Sequence, residues 1–114
     1  MANEVFVIGD GIFEKPDVTE VASGTADAQA LPATTDLRLI GFSTKEDAAV
    51  AAAAEFILRD GTSVAGKPLA FVRLAADEAE SRWFGPEGLP CAAGLFVDRT
   101  LGQTHVVVYT KVIE

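Results

Sequence analysis

Alternation of apolar and polar positions is the strongest pattern along this chain. It is clearest over residues 54–74, where Phe56 and Leu58 stand opposite Glu55, Ile57 and Arg59, and Ala70, Val72 and Leu74 stand opposite Phe71 and Arg73. A period of two marks a strand with one buried face. Between the two arms, Asp60-Gly61 and Gly66-Lys67-Pro68 carry the backbone freedom and the fixed φ that reversals use. The stretch therefore predicts two strands joined through turn residues, the centre of the fold.

The same reading extends in both directions. Residues 37–42 alternate, with Leu37, Leu39 and Gly41 on one face and Arg38, Ile40 and Phe42 on the other. Residues 94–98 and 103–113 predict a hairpin around Arg99-Thr100-Leu101-Gly102, with Val106, Val108 and Val112 on one face and His105, Val107, Tyr109 and Lys111 on the other. Residues 17–22 suit a short strand and 23–35 a loop or linker. Residues 75–80 read as an acidic turn, 81–84 as a short strand closed by Gly85-Pro86, and 87–91 as a loop.

One segment carries a competing signal. Residues 43–59, STKEDAAVAAAAEFILR, offer a cap at Thr44, acids in a first turn and a run of alanines, which together favour a helix. Against this, Phe56-Ile57-Leu58 abuts the Asp60-Gly61 turn as a strand would. Our expectation is a loop to about Ala52 and a strand from Ala53. Short strands separated by turns then predict an all-β domain, a small antiparallel β-sandwich or barrel.

The first 16 residues stand apart. Val5 to Ile8, a Gly9-Asp10-Gly11 turn and Ile12-Phe13 before Pro16 fit a hairpin or an extended N-terminal arm. An isolated hairpin is marginal in water, so its apolar residues need a surface, either an edge of their own sheet or a neighbouring subunit. Gly9-Asp10-Gly11 is not a dinucleotide loop, which requires a third glycine and a following helix. The resulting organisation is an arm over 1–16, a short strand and linker over 17–36, and a β body over 37–114.

Composition narrows the function classes. At 114 residues the chain has the size of one domain, and its 49% hydrophobic content supports a packed core. The net charge is −8, and no lysine–arginine cluster offers itself to phosphates, so nucleic acid is not an expected partner. Residues 1–36 hold seven acids and one lysine, a net of −6, and the remainder is close to neutral at −2. No charged-then-apolar leader or membrane-length apolar run is visible, so neither export by such a signal nor membrane insertion is expected. The single cysteine, Cys91, leaves an internal disulfide out of the design.

Catalytic and metal chemistry find little footing. Cys91 and His105 are the one possible thiolate–imidazole pair, and nothing in the spacing brings them together. Asp77, Glu78 and Glu80 lack the interleaved donors and glycine of a calcium loop, and zinc would need more Cys and His than the chain has. No cofactor is expected. Trp83-Phe84 has two readings, a plug at the end of the core or an exposed anchor for a partner, and alternation places one ring on each side of a strand.

The order of turn motifs adds a resemblance. Gly41-Phe42-Ser43, Leu58-Arg59-Asp60-Gly61, Phe84-Gly85-Pro86-Glu87-Gly88 and Gly94-Leu95-Phe96-Val97 recur in this order over residues 37–112. In this the chain resembles small β-structured virion proteins of tailed bacteriophages, the capsid decoration (cement) and minor head proteins. The resemblance implies a non-enzymatic structural protein on the capsid exterior, assembled in the host cytoplasm. It further implies the major capsid protein as partner and a homo-oligomer, with a trimer favoured. Val5, Phe6, Ile8, Phe13 and Trp83 are then the expected partner contacts. The alternative is a surface-displayed or tail-associated module that recognises a host carbohydrate or protein through Trp83 and Tyr109.

Overall fold

The structure is a computed structural model that describes residues 16–113, together with the main chain of residues 5–8 and 11–14. Its described elements are all strands, in the order β1 (Val5–Ile8), β2 (Gly11–Glu14), β3 (Asp17–Gly24), β4 (Ala28–Leu31), β5 (Leu37–Glu46), β6 (Ala54–Asp60), β7 (Lys67–Leu74), β8 (Ala79–Trp83), β9 (Leu89–Pro90), β10 (Leu95–Leu101) and β11 (Thr104–Val112). Two antiparallel sheets pack face to face. One has the order β3-β11-β5-β8, with β9 also on β5, and the other has the order β4-β10-β6-β7. β1 and β2 pair with each other as a separate two-stranded sheet.

The core forms because alternate positions of both sheets point inward. Leu37, Leu39, Phe42, Val106 and Val108 come from one sheet and Phe56, Leu58, Val72, Leu74, Leu95 and Val97 from the other, all buried. Phe42 and Phe56 meet edge to face across the interface, their centroids 6.2 Å apart, the geometry aromatic quadrupoles prefer. The expected central hairpin is present as β6–β7, with Phe56 opposite Val72 and Leu58 opposite Ala70. The loop expected from Ser43 begins only at Asp47, because β5 runs on to Glu46; residues 47–53 are then irregular and β6 begins at Ala54, as the loop-then-strand expectation had it for the alanines.

Three expectations are corrected. The hairpin expected between residues 94–98 and 103–113 does not exist: β10 pairs with β4 and β6, while β11 pairs with β3 and β5. Leu95 and Val97 face the same core as Val106 and Val108, so the two strands oppose each other across the sandwich. The chain crosses between the sheets at Gly102, whose φ of +69° is costly for other residues. A Cβ there would also stand 2.5 Å from the Ala53 carbonyl oxygen.

Alternation also fails within β5. Its buried positions are Leu37, Leu39, Ile40, Gly41, Phe42, Thr44 and Glu46, and its register with β11 shifts where Tyr109 opposes Gly41 but Thr110 opposes Leu39. A β-bulge at this point inserts one residue and flips the parity, so Phe42 turns into the core instead of away from it. Ile40 is covered by the β8–β9 connection, where Gly88 would place a Cβ 2.9 Å from its Cδ1.

Residues 23–35, read as loop or linker, contain β4, and both β3 and β4 are built into the sheets. Arg99 fixes the connection between them. Its guanidinium donates to the carbonyls of Ala22, Ala26 and Thr104 at 2.8–2.9 Å, and its main-chain N–H donates to Asp27 at 2.8 Å. Alanine is a weak strand former, and β4 places Ala28 and Ala30 on this short edge, so side-chain bonds from elsewhere hold what alternation does not announce.

Candidate functional site: an aromatic row on the outer sheet face

The outer face of the larger sheet carries the most distinctive surface feature. Val18 of β3 pairs with Tyr109 of β11, Tyr109 with Gly41 of β5, and Gly41 with Trp83 of β8. These four positions form one row across four strands. Because Gly41 has no side chain, Trp83 can lie against the sheet: a Cβ on Gly41 would stand 3.3 Å from the indole Cε3. Trp83 is nevertheless 64% exposed and Val18 58% exposed.

Polar groups frame the row. The hydroxyls of Ser43 and Tyr109 are hydrogen-bonded at 2.9 Å. A groove of about 530 Å³ runs between Trp83 and Tyr109, with Ser43, Ser81 and Pro16 on its walls. Pro16 is the residue through which the N-terminal arm joins β3, so the arm leaves the body at this groove. Lys45 and Lys111 stand on the same face, each two positions beyond Ser43 and Tyr109.

Trp83 and Phe84 divide the two roles expected of them. Phe84 is packed on the core with its ring centroid 6.1 Å from that of Phe42, while Trp83 faces outward. Val5, Phe6, Ile8 and Phe13 have side chains outside the described residues. Their main chain forms a hairpin pairing Phe6 with Phe13 and Val7 with Ile12. The sequence singled out Trp83 and Tyr109 but missed Val18 and Gly41. Only the cross-strand register, which a single sequence does not display, aligns them.

The second sheet also presents an outer surface. Phe71 is 66% exposed and lies opposite Ile57, and the Arg73–Glu55 ion pair borders a smaller groove of about 330 Å³. Arg59, on the same sheet, bonds Asp98 at 2.9 Å with both side chains largely buried. These charges are paired with each other within the sheet.

The residues with reactive chemistry are spread apart. Cys91 donates its main-chain N–H to Leu37, at the start of β5, whereas His105 pairs with Lys45 near the end of that strand. Eight residues of strand separate those positions, on the order of 26 Å. Cys91 is sealed from solvent, and burial, reinforced by Asp60, pushes its thiol up to about 12. His105 lies 3.3 Å from Glu20 on the outer face.

Glu46 is a buried acid with a structural role. Its two carboxylate oxygens accept from the N–H groups of Asp77 and Ala48, each at 2.7 Å, and these bonds hold its pKa below the ordinary carboxylate value. It thereby ties the irregular 47–53 segment to the β7–β8 turn. Asp77 and Glu78 belong to that turn, Glu78 accepting from Ala75 N–H at 2.8 Å. No group of three potential metal ligands occurs among the described residues. Nor is any helix there long and apolar enough to cross a membrane.

Comparison with known families, curated proteins and solved structures yields no match to this chain. The class defined by fold and site is thus an all-β sandwich with an aromatic row on one outer face.

Proposed function

We propose that this chain is a non-enzymatic structural protein of a tailed-bacteriophage virion, a decoration protein that binds the capsid exterior and bridges its subunits. The observation that carries the reading is the N-terminal hairpin, a separate two-stranded sheet leaving the sandwich beside an exposed tryptophan row. A two-stranded hairpin has no stability of its own to speak of, so its apolar residues are of use only against another surface. The turn motifs shared with small phage virion proteins support the same reading. So does the near-neutral body joined to an acidic first third, a form suited to repeated contact with a lattice.

In this reading the partner is the major capsid protein and the decoration unit a homo-oligomer, with a trimer suiting the points where capsomers meet. Purified chain mixed with expanded capsids of the encoding phage should co-sediment with them. Deleting residues 2–16 should abolish that binding while far-UV circular dichroism and cooperative melting persist, since every residue of the core cluster lies beyond position 20. Full occupancy by the deletion variant would refute the role of the arm, and no binding by the intact chain would refute the role of the protein.

A second reading rests on Trp83 itself. An exposed indole lying beside the Ser43 and Tyr109 hydroxyls is an arrangement on which a sugar ring could stack and hydrogen-bond. A glycan array probed with the intact chain and with Trp83→Ala tests it; signal that disappears with the substitution would favour a carbohydrate-binding module.

A further inference from the structure

The outer face of the larger sheet gathers positive charge in a chain whose net charge is −8. Arg38 of β5 and Lys111 of β11 stand directly opposite each other in the antiparallel register. Both face outward, since Leu37 and Leu39 on either side of Arg38, and Thr110 before Lys111, are buried. Like charges at opposed positions of a ladder repel and weaken it. Lys45, exposed on the same face, stands toward the other end of β5, opposite His105. No described acid forms an ion pair with Arg38, Lys45 or Lys111, whereas Arg59, Arg73 and Arg82 are each matched by a carboxylate. Glu20, the acid that β3 sets on this face, lies with His105 at 3.3 Å.

The surface between these cations is suited to sugar. Lys111 is two residues beyond Tyr109, about 7 Å from the aromatic row along the strand, and Lys45 is two residues beyond Ser43 on the opposite side. From Lys111 to His105, the partner of Lys45, β11 runs on the order of 20 Å. The groove in this interval has the exposed indole of Trp83 as one wall and the hydroxyls of Ser43, Ser81 and Tyr109 along it. Ser43 and Ser81 are themselves opposed across β5 and β8. An indole takes the C–H face of a pyranose ring, hydroxyls exchange hydrogen bonds with its rim, and the cations at both ends match anionic groups. A ligand that reaches both ends is longer than one sugar ring.

We infer that this face binds an anionic oligosaccharide, with one ring stacked on Trp83, its hydroxyls bonded to Ser43, Ser81 and Tyr109, and its acidic groups beside the Arg38 and Lys111 pair and beside Lys45. The inference deepens the carbohydrate reading of Trp83, on which it rests, by naming the charge of the ligand and the residues that select it. Exposed charge pairs are individually weak and screened by salt, so the stacked ring supplies most of the affinity and the cations supply the discrimination between acidic and neutral sugars. Single-stranded nucleic acid is also anionic and able to stack, but its phosphate at every step would meet only scattered cations, with Glu20 among them, on an acidic protein.

The test titrates the full-length chain, with residues 1–15 in place, by calorimetry and by the emission of Trp83, at low and at high salt. The probes are an oligogalacturonide and its neutral methyl ester, a dextran sulfate oligosaccharide and neutral dextran of the same length, and an oligothymidylate of matched charge. The expected result is binding of the oligogalacturonide if the cations read carboxylate, or of the dextran sulfate if they read sulfate, with the neutral counterpart and the oligothymidylate each bound about tenfold or more weakly. Trp83→Ala should weaken the acidic probe about tenfold or more. Arg38→Gln with Lys111→Gln should weaken it several-fold and flatten its salt dependence while leaving the neutral counterpart unchanged. This double variant should melt no lower than the wild type, because it removes a repulsive pair. Neutral sugars bound as tightly as acidic ones, in a manner that needs Trp83, would overturn the inference and leave the carbohydrate reading standing. Binding of no sugar would overturn both. Oligothymidylate bound as tightly as the acidic sugars, or an affinity and salt dependence unchanged in the double variant, would overturn the inference as well.

Discussion

Replacing Gly41 by alanine tests the link between the site and the sheet beneath it. The residue lies beside the β5 bulge, with Trp83 opposite on β8 and Tyr109 opposite on β11. An added Cβ would stand 2.4 Å from the Arg82 carbonyl oxygen, 3.3 Å from Trp83 Cε3 and 3.4 Å from Trp83 Cα. The first contact is with main chain, which no rotamer change can relieve. β8 must therefore move outward by several tenths of an ångström, stretching its ladder to β5 near the Phe84 N–H to Ile40 carbonyl bond, now 2.7 Å.

Overpacking of this sort costs about 1–3 kcal/mol, and a weakened hydrogen bond adds about 0.5–1.5. The smaller unfolded-state entropy of alanine returns about 0.4–1 kcal/mol. The net expectation is a loss of about 2 kcal/mol, which for a urea m-value within ~1–3 kcal/mol/M lowers the midpoint by about 1 M. The assay is urea unfolding followed by far-UV circular dichroism, with the emission of Trp83 recorded in the native state. Because the closest clash is with the Arg82 carbonyl, most of the loss should persist when Gly41→Ala is introduced into a Trp83→Ala background. An unchanged midpoint, or a loss that vanishes once the indole is gone, would refute the main-chain argument.

Cys91 should resist thiol reagents in the native protein and react fully once the chain is unfolded, because its thiol is both buried and raised to about 12; rapid native labelling at neutral pH would contradict the packing. Glu46 should make the fold acid-sensitive. Its folded pKa is lowered, so its stabilisation is present above the unfolded carboxylate range and is lost as pH falls through the depressed value. The stability gap between wild type and Glu46→Gln should accordingly narrow on acidification, and a gap independent of pH would count against it. Arg99→Met keeps much of the apolar stem but removes the donors to Ala22, Ala26 and Thr104; loss of hydrogen bonds from a charged group of this kind costs about 1.5–3 kcal/mol. Amide hydrogen exchange should show the effect first in β3 and β4, and uniform exchange across both sheets would argue that the arginine is only a surface group.

The central hairpin and the inward stripe of β11 were legible because each follows alternation with turn residues at its ends, and the alanine-rich loop because Phe56-Ile57-Leu58 abuts the Asp60-Gly61 turn as a strand does. β4 was not, since Ala28-Gln29-Ala30-Leu31 has neither bulk nor a clean period and is held by the register of β10 and by the bonds of Arg99 nearby. The site was half legible. A tryptophan next to a phenylalanine on a strand must show one ring to each side, but which ring faces water depends on the parity of the strand it pairs with. That parity is set in β5 by a bulge that strict alternation does not contain.

The bulge and the crossing at Gly102 are two parts of one solution to filling a sandwich from a continuous chain. β10 and β11 are separated by only Gly102 and Gln103, a spacing that alternation alone assigns to a hairpin. Side-by-side pairing would leave the inner faces of both strands covering one sheet and the other sheet short of Leu95 and Val97. Crossing between sheets puts these two against Val106 and Val108 instead, and it puts β11 in the middle of the larger sheet, next to β5. Once β11 is there, Tyr109 must face outward because Val108 and Thr110 face in. The bulge then turns Phe42 inward to meet Phe56 and leaves Gly41 as the gap beside Tyr109 into which Trp83 lies. The aromatic row is thus a consequence of how the core closes, and a substitution that removed the bulge would be expected to bury or displace Trp83 at the same time as it disrupted the packing of Phe42.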